Sequence, residues 1–224
     1  MFNAQCSMLN AQCSMLNVKP IHLHPSVNNN IKRGIDIVGA LVGLALTGVL
    51  VILVAIAMAI FDPGPIFYSQ MRCGLYGRSF RLWKIRSMVV GADKLQHQIP
   101  NQVSGQMFKN ANDPRITPLG KFLRRTSLDE FPQFWNVLKG DMSLVGTRPP
   151  TIDEVQYYQL HHWERLKVKP GITGEWQVNG RSQIKDFEEI VRLDLRYQSR
   201  WSVIYDLKLI LKTIAVAIAR RGAC

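Results

Sequence analysis

The chain has 224 residues, 47% of them apolar, with 28 Lys and Arg against 16 Asp and Glu, a formal charge of +12. That length favours one main domain with a real core, and the cationic surplus points to nucleic acid, a phospholipid surface or a phosphorylated substrate. Cys6, Cys13, Cys73 and Cys224 form no CxxC and no Cys/His grouping at zinc spacing, which argues against a redox motif or zinc site and for a reduced, cytoplasmic chain.

In chain order, the first feature is a perfect tandem repeat, NAQCSML at 3–9 and again at 10–16. Two copies of seven residues are too few for a solenoid, and no basic region precedes them as in a signal peptide. Together with 24-HPSVNNN-30 they read as a disordered tail over residues 1–30.

Residues 37–61 then run for 25 positions without a charge. A helix of that length extends roughly 37 Å, more than the ~30 Å of bilayer hydrocarbon, so residues 31–61 are expected to form a membrane helix. Lys32 and Arg33 lie before it, and Arg72, Arg78, Arg81, Lys84 and Arg86 lie after it. Both flanks are thus drawn to the cytoplasm, which a re-entrant helix satisfies and a straight span does not. The breaker cluster 62-DPGP-65 ends the helix and opens a cytoplasmic domain over residues 62–224. Its first element, within residues 66–88, alternates bulky and basic residues around a glycine-containing turn and predicts a β-hairpin. At the far end, residues 203–221 place Lys208 and Lys212 four apart in an apolar helix, the pattern of a helix lying at a membrane surface.

The chemistry is concentrated between these parts. In 127-SLDE-130, Ser127 and Glu130 have the spacing of a capping box, although Pro132 prevents a regular first turn. Asp129 at such a helix start, with Lys121, Arg124 and Arg125 nearby, suits a nucleophile toward phosphorus, and Glu130 suits a base for an acceptor. Glycoside hydrolysis fits less well, because neighbouring carboxylates do not straddle a sugar. Downstream, Asp141 is a candidate Mg²⁺ ligand and Arg148 a candidate diphosphate clamp. The run 169-KPGITGEWQVNGR-181 reads as a loop whose backbone approaches a ligand, with Lys169 and Arg181 at its ends. No GxxxxGK[ST] is present, so nucleotide binding through a P-loop is not indicated.

The series KR-x-x-D at 32–36, 70-QMRCG-74, 84-KIRSM-88, 126-TSLDEFPQFWNVLKGDMSLVG-146, RPP at 148–150 and KPGITGEWQVNGR resembles the bacterial sugar transferase family. These are monotopic polyprenyl-phosphate phosphoglycosyl transferases of capsule and exopolysaccharide pathways, and the likeness covers roughly residues 31–219. The resemblance implies Mg²⁺-dependent transfer of a sugar 1-phosphate from a UDP-sugar to polyprenyl phosphate. It casts Asp129 as the residue that carries the phosphosugar and Glu130 as its dyad partner. Lys84, Arg86, Arg124, Arg148, Arg181, Gln177 and Asn179 become expected substrate contacts, and Asp129 and Asp141 expected metal ligands.

The implied fold is a mostly helical α+β domain with the hairpin, on a re-entrant membrane helix with interfacial amphipathic helices. The implied partners are the UDP-sugar, polyprenyl phosphate, anionic lipid and a second copy in a homodimer, with no nucleic acid. Two positions depart from the family pattern. The membrane helix reads 47-TGVL-50 where many members carry Ser-Pro, and Thr147 stands where the loop usually reads Pro-Arg-Pro. The extra N-terminal membrane helices of larger relatives are not seen, the pattern of a minimal catalytic form. The competing reading is a membrane-anchored, non-catalytic protein whose basic face holds anionic lipid or nucleic acid.

Overall fold

The computed structural model describes residues 23–101, 110, 112–180, 184 and 186–218. The heptapeptide repeat, Arg181, Cys6, Cys13 and Cys224 lie outside the described residues.

The first helix, α1, runs unbroken over Asn30–Phe61, 32 residues or roughly 48 Å, and begins where Asn29 accepts a hydrogen bond from the Lys32 amide. Its N-terminal lead-in is folded although the composition of 24–30 suggests a tail. His24 Nε2 lies 3.0 Å from the Gln198 carbonyl, and its ring meets Trp201 edge-on. One narrow stripe of α1 is buried: Lys32, Asp36, Ala40, Gly43, Thr47, Val54 and Met58. The other faces present Val38, Leu41, Val42, Val49, Ile52, Leu53, Ile56 and Ile60 outward. It is the helix, among the described residues, long and apolar enough to cross a membrane, with a mean hydropathy of 2.9 in its most apolar window.

Strands β1 (Phe67–Cys73) and β2 (Ser79–Ile85) form the expected antiparallel hairpin, with Tyr68 opposite Lys84 and Arg72 opposite Phe80. Tyr76 and Gly77 both take positive φ, 53° and 77°, in the connecting turn. Helix α2 (Pro118–Arg125) is capped by Thr117 and starts with proline, as a sharp N-terminus requires. Helix α3 (Gln133–Lys139) follows, ended by Gly140 at φ 91°.

Strand β3 (Ser143–Val145) pairs in parallel with β4 (Gly171–Thr173). Short helices α4 (Ile152–Val155), α5 (Leu160–Trp163) and α6 (Glu175–Val178) lead to the longer α7 (Phe187–Ser199) and α8 (Val203–Ile218). The architecture is therefore mostly helical α+β, with a long apolar N-terminal helix and two small sheets.

Packing makes α1 part of the domain along its whole length. Near its start, Lys32 reaches Asp206 at 2.6 Å and the Val145 carbonyl at 3.0 Å, while Arg33 donates to the Val137 and Leu138 carbonyls that end α3. Asp36 accepts from the Ser143 hydroxyl and the Leu144 amide, both at 2.8 Å. Ala40 packs with Phe80, Leu82, Val137 and Met142; further along, Val54 and Met58 pack with Ile85 and Leu123. Buried Asn136 ties α3 to β2, donating to the Arg81 carbonyl at 2.8 Å and accepting from the Trp83 amide at 3.2 Å.

Gly43 is where α1 comes closest to α3: a Cβ there would overlap the Phe134 ring. Gly48, by contrast, has nothing within 4 Å of such a Cβ. Gly43→Ala is therefore expected to cost about 1–3 kcal/mol through overpacking. Gly48→Ala should hold or raise stability, by up to about 1 kcal/mol from helix propensity. Thermal unfolding of the two variants in detergent checks the contrast.

Candidate active site

The Asp129–Glu130 pair lies between α2 and α3 in a single 3₁₀ turn, Leu128–Glu130. The turn does not form by the capping box that the Ser127–Glu130 spacing suggests. Ser127 sits in the left-handed region at φ 57° and makes no capping hydrogen bond from its side chain. That conformation stops α2, and Pro132, with no N–H, delays the next helix to Gln133. Asp129 is 5% exposed, held between two helices rather than at the start of one. The capping box of this region is instead Thr151 with Glu154, at the start of α4.

The hairpin and α2 bring cations to this turn. Lys84 Nζ lies 3.1 Å from Glu130 Oε1 and is partly exposed. Arg124 is positioned by Ser87, whose hydroxyl accepts from its Nε at 2.8 Å. Burial lowers the Arg124 pKa, and the charges of Asp129, Asp113 and Glu130 work against that.

Arg72 completes the group. Burial, and then Arg148 beside it, bring its pKa down to about 10, while Glu154 and Glu130 counter that shift. Arg72 donates to Gln70 at 2.7 Å and to the Pro149 carbonyl at 3.1 Å, yet its buried Nε has no hydrogen-bond partner among the described residues. Lys84 thus pairs with Glu130, and Arg124 and Arg72 lie within electrostatic reach of the carboxylates, a cationic surrounding suited to a polyanionic ligand.

Other predicted residues are placed elsewhere. Arg86 braces the end of α1, donating to Asp62 Oδ1 at 2.9 Å, to the Asp62 carbonyl at 2.6 Å and to the Pro65 carbonyl at 2.7 Å. Arg148 forms a two-pronged pair with Glu154 at 2.7 and 3.0 Å, one layer behind Arg72. Gln177 donates to the Ile172 carbonyl at 2.7 Å, and Asn179 accepts from Lys212 at 2.7 Å, so both serve the packing around α6 and α8. Lys212 is thereby held on the domain, whereas Lys208 is exposed.

Asp141 is not brought to Asp129. Helix α3, about 10 Å long by its rise, stands between them, and Asp141 interacts with Lys139 and Asn136 at 3.3 Å. One ion cannot take both carboxylates at ~2 Å. The glycines of the 169–181 run also serve the backbone rather than a ligand. A Cβ at Gly171 would overlap the Gly146 amide, so they allow β3 and β4 to approach backbone to backbone.

Sequence reasoning missed Arg72 as a site residue, although it stands within the QMRCG motif. Among the described residues, His161, His162 and Glu188 have metal-like spacing, with ligand atoms within 4.8 Å of one another. Their hydrogen bonds argue for a clasp between α5 and α7 instead. The Gln159 amide donates to His162 Nδ1 at 3.0 Å, which leaves the proton on Nε2, 2.7 Å from Glu188. A protonated nitrogen does not ligate a metal.

Residues 27–220 match the family model described as bacterial sugar transferase. The chain belongs to the bacterial sugar transferase family. Among curated relatives, it is 51% identical over 194 residues to the galactosyl transferase CpsE of Streptococcus agalactiae, a match covering 86% of this chain and 43% of that protein. It is 40% identical over 216 residues to the UDP-glucose:undecaprenyl-phosphate glucose-1-phosphate transferase of Escherichia coli, covering 92% of this chain and 44% of the relative. The exopolysaccharide production protein ExoY of Rhizobium meliloti is 35% identical over 199 residues, covering 86% and 87%. The chain thus spans less than half the length of the first two bacterial sugar transferases and most of the third. The span matched by the family model contains both the hairpin and the Asp–Glu turn.

Proposed function

We propose that this chain transfers a sugar 1-phosphate from a UDP-sugar to polyprenyl phosphate, a first membrane step in exopolysaccharide or capsule assembly. The observation that carries the reading is the nearly buried Asp129–Glu130 turn, with Lys84 paired to Glu130.

In the first half-reaction an Asp129 carboxylate oxygen attacks the phosphorus attached to the sugar. An O–P bond forms to Asp129 as the P–O bond to UMP breaks, and UMP leaves with that electron pair. In the second, a phosphate oxygen of the lipid attacks the same phosphorus and Asp129 leaves as carboxylate, with Glu130 taking any proton that oxygen carries. Lys84, Arg124 and Arg72 offset the charge that gathers on the diphosphate. Asp129 and Glu130 fit the usual protein share of a Mg²⁺ site, one or two carboxylates with phosphates and water completing it. When bound, the ion supplies further charge neutralisation. Asp141 bonds Lys139 and Asn136 at the other end of α3 and is left out of this donor set.

The same reading places the protein on the cytoplasmic face of a bacterial inner membrane. Both ends and the middle of α1 are fixed to one polar domain, so a perpendicular span would draw the domain into the hydrocarbon. The outward faces of α1 and the Ile204, Leu207, Leu211 and Ile214 face of α8 would instead sit in one leaflet, as a monotopic helix and an interfacial one. Anionic lipid attracts the +12 chain to that surface.

The test supplies detergent-solubilised full-length chain with radiolabelled UDP-sugars, polyprenyl phosphate and Mg²⁺. A lipid-linked product with equimolar UMP is expected from at least one UDP-sugar. Failure of a panel of UDP-glucose, UDP-galactose and their N-acetylated forms to give any product would overturn the proposal.

A further inference from the structure

A second basic concavity lies at the opposite end of α1's contact with α3 from the Asp–Glu turn. It is a cleft of about 470 Å³ lined by Ser26, Asn28, Asn29, Arg33, Asp36 and Lys169, among others. About one turn of α1 separates Asn29 from Arg33, whereas Thr47, which touches Phe131 beside the carboxylate pair, is some 20 Å further along the helix. The cleft is therefore separate from the reaction centre.

Its charges are not balanced from within. Lys32, which also lines it, is taken up by Asp206 at 2.6 Å; Asp36 accepts from Ser143 and Leu144, and its charge, with that of Asp141, offsets part of the field at Lys169 but not both remaining cations. Arg33 caps the carbonyls of α3 through both terminal nitrogens, but its charge persists. Lys169 has no hydrogen-bond partner among the described residues. A Cβ at Gly140 would lie 3.7 Å from both Arg33 and Lys169, which places these two cations side by side at the cleft wall. Half-burial, and then the charge of Arg33, pull the Lys169 ammonium below its ordinary pKa, the direction that an approaching anion would reverse. The first turn of α1 carries no acidic residue to offset its own N-terminal partial charge. Asn28 and Asn29 add neutral side-chain amides to its lining. An unbalanced cation pair, amide donors and an open volume of this size fit a phosphate ester.

The neighbouring surface indicates where that phosphate comes from. The cleft opens where α1 starts, and Ile37 and Leu41, one and two turns beyond Arg33 on the flanking face of the helix, are exposed apolar residues. A phosphate seated in the cleft thus has hydrocarbon-compatible surface directly alongside, as a headgroup with attached acyl chains requires. We infer that this cleft seats the phosphodiester headgroup of an anionic phospholipid, at a site separate from the one that takes substrate. The inference rests on the membrane placement proposed above but on no step of the transfer chemistry.

The test reads binding rather than turnover, so its failure and the failure of the transferase assay are independent. Full-length chain in a neutral detergent is titrated with short-chain phosphatidylglycerol, short-chain phosphatidylcholine, or inorganic phosphate at matched ionic strength. The readouts are thermal unfolding and lipid retention in native mass spectrometry. Phosphatidylglycerol is expected to bind and raise the unfolding temperature, and phosphatidylcholine to have no effect. Lys169→Gln should weaken phosphatidylglycerol binding about tenfold and Lys169→Arg should restore it. Asn28→Asp, an exposed change at the rim, should weaken it without altering the unfolding temperature of the lipid-free chain, and Lys208→Gln on α8 should leave it within twofold. Unchanged binding in both Lys169→Gln and Asn28→Asp would overturn the site, as would equal binding of the two lipids. Inorganic phosphate binding as tightly as phosphatidylglycerol would overturn the lipid assignment.

Discussion

Asp129→Asn is expected to lower sugar-phosphate transfer at least about 10³-fold while leaving the fold intact. Asparagine matches aspartate in shape, so the nearly buried turn keeps its packing, but an amide oxygen cannot carry the phosphosugar. Two measurements separate this from a structural defect. The unfolding temperature of Asp129→Asn should stay close to that of the parent chain. Incubation with a UDP-sugar labelled at the sugar-linked phosphate, without lipid acceptor, should label the parent protein and not the variant. Full turnover by Asp129→Asn would exclude Asp129 as nucleophile and return weight to a binding role for the basic face. Glu130→Gln offers a graded comparison, because it removes the partner of Lys84 while leaving the Asp129 carboxylate in place.

The largest stability effect is expected at Asp194, far from that turn in sequence and without any role in the proposed chemistry. Arg165 and Asp194 are both fully buried, with Arg165 Nε donating to Asp194 Oδ2 at 2.9 Å and a second guanidinium nitrogen donating to the same oxygen. Arg165 also donates to the Tyr158 hydroxyl at 2.8 Å. Asp194→Ala leaves a guanidinium in the core with no counter-charge, which costs about 3–5 kcal/mol. The double variant Arg165→Met with Asp194→Leu should recover much of that loss, because two apolar side chains need no solvation. Chemical denaturation in detergent measures both. If Asp194→Ala unfolds at the parent midpoint, the pair is not the keystone that its burial indicates.

The parts of this fold that are legible in the sequence are those written as local patterns. The 25 uncharged residues mark a membrane helix, although the turn back that a re-entrant path requires is not present in the unbroken Asn30–Phe61 helix, and the alternation around Leu75–Gly77 marks the hairpin. The Asp–Glu pair stands out because of the basic residues just before it. What stays hidden depends on distant partners. Nothing near Arg86 indicates that Asp62 and the Pro65 carbonyl will occupy it, and nothing near Arg148 singles out Glu154, six residues on, except the capping-box spacing of Thr151 and Glu154.

Ser127 in a left-handed conformation is also unreadable, since no glycine marks the position. Asp141 resembles a metal ligand because its neighbours are turn residues, but the partners it meets in the fold are Lys139 and Asn136. The glycines after Lys169 suggest a ligand-hugging loop by composition and prove to be the seam of a parallel strand pair. Gly, Pro and a cation in one stretch describe a tight backbone equally well whether the near neighbour is a ligand or another strand.

The way α1 is fastened has one further consequence. The Thr47 hydroxyl bonds back to the Gly43 carbonyl at 2.6 Å and reaches the carbonyl of Phe131, the residue that follows the dyad, at 3.3 Å, while Gly43 lies flush against the Phe134 ring. The anchor is thus pinned to the chemistry itself rather than joined to it by a tether. Sliding the helix by a single turn relative to the domain, ~5.4 Å, would break both contacts. On the proposed membrane seating, the helix would work as a depth gauge that fixes the height of the Asp129 turn relative to the lipid headgroups. A transferase of the proposed kind, drawing one substrate from water and one from lipid, needs that height set once, and the face of α1 that carries Gly43 and Thr47 would set it.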